Sequence, residues 1–198
     1  MKTNNKFISI LFLLFILSSN LFSDVVSEYF SDTVFDYAKY SFNKKDYESS
    51  LKYFKESAKD GDSRAFYFLG IHYNLGYAVP ENIDTAIFYY KKGADNSDAN
   101  CMNALGTAYE KKKDYKKAVY WYKKAVSTDK YQADALLSLG LTYYKGGHGV
   151  TQNMVKTAQY FKQCAMLDEK MVILPSTVQS CQKNLGIVCR QTPWACQK

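Results

Sequence analysis

Leu69-Gly70-Ile71-His72-Tyr73 recurs as Leu105-Gly106-Thr107-Ala108-Tyr109, and again as Leu139-Gly140-Leu141-Thr142-Tyr143. The glycines are 36 and 34 residues apart. A weaker copy lies upstream, with Tyr37-Ala38 in the Leu-Gly slot, and a fifth start stands at Leu185-Gly186 with Cys189 in the tyrosine slot. Self-similarity at this spacing marks a repeat architecture, in which one supersecondary unit stacks on the next. Glycine costs about 1 kcal/mol in a helix interior, so its return at one slot implies a shared steric demand.

Each unit has a second half that also repeats. Ser50, Phe54 and Ser57 match Ala86, Tyr90 and Gly93, then Ala118, Tyr122 and Ala125, then Thr157, Phe161 and Cys164. Offsets of four and seven lie on one face of a 3.6-residue helix. The pattern predicts two helices per unit. The glycine is a notch, the tyrosine three residues on covers it, and the aromatic of the second helix fills the space beyond. One hairpin cannot bury both its faces, so the units stack. The fold class expected is all-α, an α/α solenoid of helix hairpins. Between the helices, units 1 and 3 turn at Asn43–Asp46 and Lys111–Asp114. Units 2 and 4 use longer loops, Asn74–Asn82 and Lys145–Asn153, which tuck Val79 or Val150 inward and offer Asn82 or Asn153 as helix caps.

Units 2 and 4 resemble the Sel-one-like repeat, with Leu-Gly-x-x-Tyr, a Gly-Val loop, and Lys and aromatic slots. Units 1 and 3 look more like the shorter tetratricopeptide repeat. The resemblance covers about residues 31–170. It departs from the pattern at Ala78, in place of a loop glycine, at Asn82 and Asn153, in place of an Asp, and by one extra loop residue in unit 4. It implies a noncatalytic protein-binding scaffold or adaptor with a bacterial envelope or extracellular setting.

Composition limits the alternatives. The 198 residues are 47% hydrophobic and 23% charged, enough for a core and too few for a large multidomain enzyme. The net charge of +7 is carried almost wholly by Lys, with Arg only at 64 and 190. Lys2 and Lys6 precede the apolar run 7–17, and small polar residues follow. Residues 1–23 therefore read as a signal peptide, with an uncleaved N-terminal anchor as the alternative. Residues 24–170 form the repeats and 171–198 a cysteine-containing cap and tail. Without the leader the charge is +5, and three of those charges sit in 171–198. That excludes a nucleic-acid footprint as the reading of the basic balance.

An exported chain raises the question of disulfides. Cys181 and Cys101 share the first-helix slot five residues before a glycine, and Cys164 holds a small second-helix slot. Cys164–Cys181 would staple unit 4 to the terminal helix, and Cys189–Cys196 would close the tail. Cys101 stays as a buried apolar residue. The pairing resembles the cysteine-rich secreted branch of the same family. Sequence alone does not fix connectivity, and five reduced thiols is the alternative.

Catalytic motifs are sparse. No phosphate loop, dinucleotide fingerprint, His-Glu-x-x-His or Gly-x-Ser-x-Gly is present. No cofactor and no metal are expected. His72 reads as a groove or flank residue and His148 as a loop residue, and two histidines do not make a zinc site. Ser-x-x-Lys occurs at Ser41, Ser49, Ser127 and Ser180 but lacks the partner motifs of serine β-lactamases, which leaves that hydrolase as an alternative class. A structural subunit of an envelope complex is another. The runs Phe88–Tyr90 and Tyr120–Tyr122 read as packing residues rather than base-stacking platforms.

What remains is the face built by the first helices. With the packing slots turned inward, its exposed positions are Arg64, Tyr67, Ile71 and Asn74 in unit 2. Asn100, Asn103, Thr107 and Lys111 follow in unit 3, and Asp134, Leu137, Leu141 and Tyr144 in unit 4. The asparagines, beside Arg64 and Lys111, are suited to the backbone or carboxylate of an extended protein partner.

Overall fold

The computed structural model describes residues 32–147, 149–167 and 176–197. The predicted signal peptide, 1–23, lies outside the described residues, as do His148 and most of the link between unit 4 and the tail. The chain divides into two compact units, Met1–Ala65 and Phe66–Lys198.

In the first unit, residues 32–43 form α1 and Tyr47–Lys59 form α2. The predicted offsets meet here: Ser50, Phe54 and Ser57 are all buried. The Phe35 and Phe54 rings touch edge to face, with centroids 5.7 Å apart. Asp46 caps α2 by accepting from the Ser49 N–H at 3.2 Å. Arg64 pairs with Asp62 at 2.7 Å and with Asp32, and its guanidinium lies over the Phe35 ring.

The second unit holds α3 (Ala65–Leu75), α4 (Ile83–Asp95), α5 (Ala99–Lys111), α6 (Tyr115–Thr128), α7 (Ala133–Lys145), α8 (Met154–Ala165) and α9 (Ser176–Gln191). A short 3-10 turn, Pro193–Cys196, closes it. From α4 onward each helix packs mainly on its sequence neighbours. Residues from α4 to α7 share one core that includes Tyr90, Leu105, Tyr122 and Leu139. This is an all-α solenoid of helix hairpins. No strand and no helix long and apolar enough to cross a membrane occurs among the described residues.

The glycine notches are real, but the ring that fills them is not the predicted one. A Cβ at Gly70 would overlap the Tyr90 ring, one at Gly106 the Tyr122 ring, and one at Gly140 the Phe161 ring. Tyr73 and Tyr143 instead stack against Tyr89 and Tyr160. A side chain three residues on sits one turn along its own helix, whereas the second-helix aromatic points straight at the gap. The aromatic runs also need correction. Their third members, Tyr90 and Tyr122, are buried, while Phe88 and Tyr120 are exposed. Three consecutive helix positions sweep about 200°, so the first and third cannot share one core face.

Asn82 and Asn153 cap α4 and α8, accepting from Thr85 and Lys156 N–H at 2.9 Å each. Asp98 and Asp114 cap α5 and α6 in the same way. Val150 packs on the main core. His72 is not a groove residue. It is fully buried, with Nδ1 2.8 Å from the Tyr77 carbonyl, and helps to pin the long loop of unit 2. In that loop Ala78 holds a left-handed φ of 58°, whereas glycine at 149, also just before a valine, holds φ 83°. An L-residue pays about 1–2 kcal/mol in that region. Ala78→Gly is therefore expected to stabilise the fold by about 1 kcal/mol, after the unfolded-state entropy of glycine is subtracted. Chemical denaturation would read this as a higher midpoint with an unchanged slope.

Candidate functional site

Successive first helices bring several predicted residues to one cavity of about 300 Å³. Tyr67, Ile71 and Asn74 reach it from α3. Asn100, Asn103 and Thr107 reach it from α5, and Asp134 from α7. The spacing that does this is the helical one, at intervals of three and four. Leu75, Tyr90, Ala104 and Gln132 complete the lining and were not foreseen. Gln132 stands just before α7, where its Nε2 donates to Asn100 Oδ1 at 3.2 Å and links two units. Its signal in the sequence was its position directly before a helix, in the slot that Asp98 fills one unit earlier.

The other five predicted residues lie elsewhere. Arg64 is held by Asp32 and Asp62 in the first unit. Lys111 donates to Glu81 at 2.6 Å and to the Asn74 carbonyl at 3.2 Å, and neither cation lines the cavity. Leu137, Leu141 and Tyr144 pack against the cluster of Ala158, Phe161, Val188 and Ala195. Tyr144 also shares a hydrogen bond with Gln191 of α9 at 3.3 Å. The terminal helix thus takes up the face that unit 4 would have left open.

The cavity is rich in acceptors. Asn74 Oδ1 and Asn103 Oδ1 are both buried and have no partner among the described residues. An unpaired buried oxygen costs about 1–3 kcal/mol, so two in one cavity need a reason. Asp134 is exposed, and its Oδ1 accepts from Thr177 at 2.6 Å. Burial raises the pKa of the Tyr67 hydroxyl, with Cys101, Asp98 and Asp134 adding to the rise. Burial also raises that of Tyr90, partly opposed by Asn74.

Glu110 forms a second polar junction. It accepts from Tyr122 at 2.9 Å and from Thr142 at 3.0 Å, tying units 3 and 4 together. Among the described residues, no group of three or more His, Cys, Asp or Glu could hold a metal ion.

Cys164 is joined to Cys181, with Cα atoms 5.9 Å apart, and Cys189 to Cys196, at 5.6 Å. Cys101 is a buried free thiol whose pKa is raised by burial and by Asp98, which makes it a poor nucleophile. Two such pairs suggest an oxidising, exported environment. A second, mainly apolar hollow of about 540 Å³ runs along α8 and α9, with Val155, Met166, Leu185 and the Cys189–Cys196 pair on its walls.

The Sel1 repeat matches residues 44–62, 63–98 and 133–169, and the TPR repeat matches 106–147. The chain belongs to the Sel1/TPR-like repeat family. The match at 44–62 places unit 1 with Sel1 repeats rather than with the TPR type expected for it. This Sel1/TPR-like protein is similar in fold to a Sel1 repeat protein from Oxalobacter formigenes, with 22% identity and a TM-score of 0.64 over 79% of this chain and 61% of that one. It is also similar to a protective antigen of uropathogenic Escherichia coli strains with an SLR fold, at 20% identity and TM-score 0.52, over 75% and 42% of the two chains. MamA protein aligns at 17% identity and TM-score 0.58, over 83% and 84%. The chain thus spans less than two thirds of the first two structures. No match was found among curated proteins. Repeats of this type commonly mediate protein–protein interaction and are typically noncatalytic.

Proposed function

We propose that this Sel1/TPR-like protein is an exported, noncatalytic adaptor that holds a protein partner on the face built by α3, α5 and α7. The single observation carrying this reading is the pair of buried, unpartnered amide oxygens, Asn74 Oδ1 and Asn103 Oδ1, in one cavity of that face. An extended segment bearing N–H donors would satisfy both. Export is supported by the basic and apolar start of the chain together with the two cysteine pairs.

The test is site-specific photocrosslinking in native cells. A photoreactive residue at Thr107, which is exposed on the cavity wall, should yield one dominant adduct in stoichiometric amount. The same residue at Lys91, exposed on a second helix, should yield none. Adducts from position 91 alone, or from neither position, would remove the α3–α5–α7 face as the interface. N-terminal sequencing of the mature protein tests export separately, and a chain still starting at Met1 or Lys2 would refute cleavage after residue 23.

A further inference from the structure

We propose that the Asn74–Asn103–Asp134 cavity is a receptor for the cationic side chain of a partner protein, a lysine or arginine, and not a clamp for a carboxylate. The inference rests on the adaptor reading above and names the chemistry of the group that enters this site. Grooves that hold a terminal carboxylate need cations on their walls. Here the wall residues include no Lys or Arg, and the nearby Lys111 is already paired with Glu81.

The groups that do face the cavity are complementary to a donor with positive charge. Asn74 and Asn103 line the cavity; their buried Oδ1 atoms have no partner among the described residues, and the Asn74 amide also meets the Tyr90 hydroxyl. Asp134 supplies the negative charge, and no ion pair engages it among the described residues. The half-buried Tyr67 ring on its wall supplies a π face of the kind that attracts ammonium and guanidinium groups. An ammonium has three donors and no acceptor, so a wall of amide oxygens and a carboxylate suits it. A carboxylate would meet the like charge of Asp134 and find no Lys or Arg on the wall to offset it. The volume, about 300 Å³, stands at the lower end for ligand pockets and suits one long side chain rather than a folded element.

The experiment is an NMR titration of the purified chain with three capped amino acids as probes: Nα-acetyl-lysine methylamide, its arginine counterpart and its glutamate counterpart. The lysine or arginine probe should shift the side-chain amide signals of Asn74 and Asn103 with saturation in the millimolar range. The glutamate probe should leave them in place. D134N should weaken the cationic probe about three- to tenfold, since one charge-assisted contact is lost at a partly solvated site. N103D should tighten it by a similar factor, and a gain of binding is a result that misfolding does not produce.

Equal shifts from glutamate, or no effect of either variant, would overturn the proposal. Shifts confined to residues outside the cavity would do the same. A crosslinked partner at position 107 that millimolar lysine and arginine probes fail to displace would sink this inference and leave the adaptor reading standing. Absence of any crosslink at position 107 in cells without probe would sink the adaptor reading. Self-association in sedimentation that the lysine probe abolishes would place the side chain in a second copy and overturn the assignment to a separate partner.

Discussion

Replacing Gly106 with alanine is expected to destabilise the protein by about 3 kcal/mol, although alanine is the better helix former by about 1 kcal/mol. The added methyl would overlap the Tyr122 ring. That ring is fully buried. Its hydroxyl is also anchored, donating to Glu110 at 2.9 Å with Thr107 3.3 Å away. Moving the ring therefore strains packing, at about 1–3 kcal/mol, and loosens a bond to a carboxylate worth about 1.5–3 kcal/mol. Thr142 shares that carboxylate, so the damage should spread from unit 3 into unit 4. Urea denaturation of the single variant, of Tyr122→Leu and of the double variant forms a test cycle. A coupling of about 2 kcal/mol in the double variant is expected, because the smaller side chain leaves room for the methyl. An additive result would mean that the ring does not enforce the glycine.

Gly186 provides the matched comparison. It occupies the same slot in α9, but a Cβ there meets nothing within 4 Å. No second helix follows it among the described residues, only the turn Pro193–Cys196. Gly186→Ala should therefore gain the propensity term of up to about 1 kcal/mol with no steric cost. One substitution at two equivalent positions thus changes sign according to whether an aromatic residue faces it. A loss of stability at position 186 in the same denaturation series would contradict the open notch.

The notches explain why the fold was legible in the sequence. Gly70, Gly106 and Gly140 each oppose a bulky residue at a fixed offset, and both members of each pair recur along the chain. A periodic steric demand leaves a periodic trace. The cavity was harder to read. Tyr67, Ile71, Asn74, Asn100, Asn103, Thr107 and Asp134 follow from helical spacing, and all line it. Leu137 and Tyr144 obey the same spacing, yet α9 reaches the face where they lie. What covers a face depends on where a later helix packs, and periodicity within a unit carries no such information. The cations failed for a related reason. Arg64 and Lys111 have acids within reach in space, and the Lys111 partner, Glu81, is 30 residues away in sequence.

Removal of the Cys164–Cys181 bridge should have the other large effect. The two cysteines lie 17 apart in sequence, and a loop of that length is worth about 3 kcal/mol in the chain-entropy model. Both are fully buried beside Leu136, so alanine at both positions removes the cross-link with little change in the surrounding apolar contacts. In a solenoid, stability is a sum of unit and interface contributions, so the loss should concentrate at the interface the bridge spans. That interface joins α8 to α9, which also packs on the terminal turn and touches α7. The double alanine variant is expected to melt about 6–12 °C lower for a chain of this size. It should also lose hydrogen-exchange protection first across Ser176–Gln191. Reductant should reproduce both changes in the wild-type protein and in Cys101→Ala, because Cys101 is already a free thiol. The effect should reach the cavity as well: Thr177 of α9 donates to Asp134 Oδ1 on the cavity wall, so an unfastened α9 removes that hydrogen bond from the carboxylate. A melting temperature unmoved by reductant would show that packing of Val178 and Val188, both buried, holds α9 without the bridge.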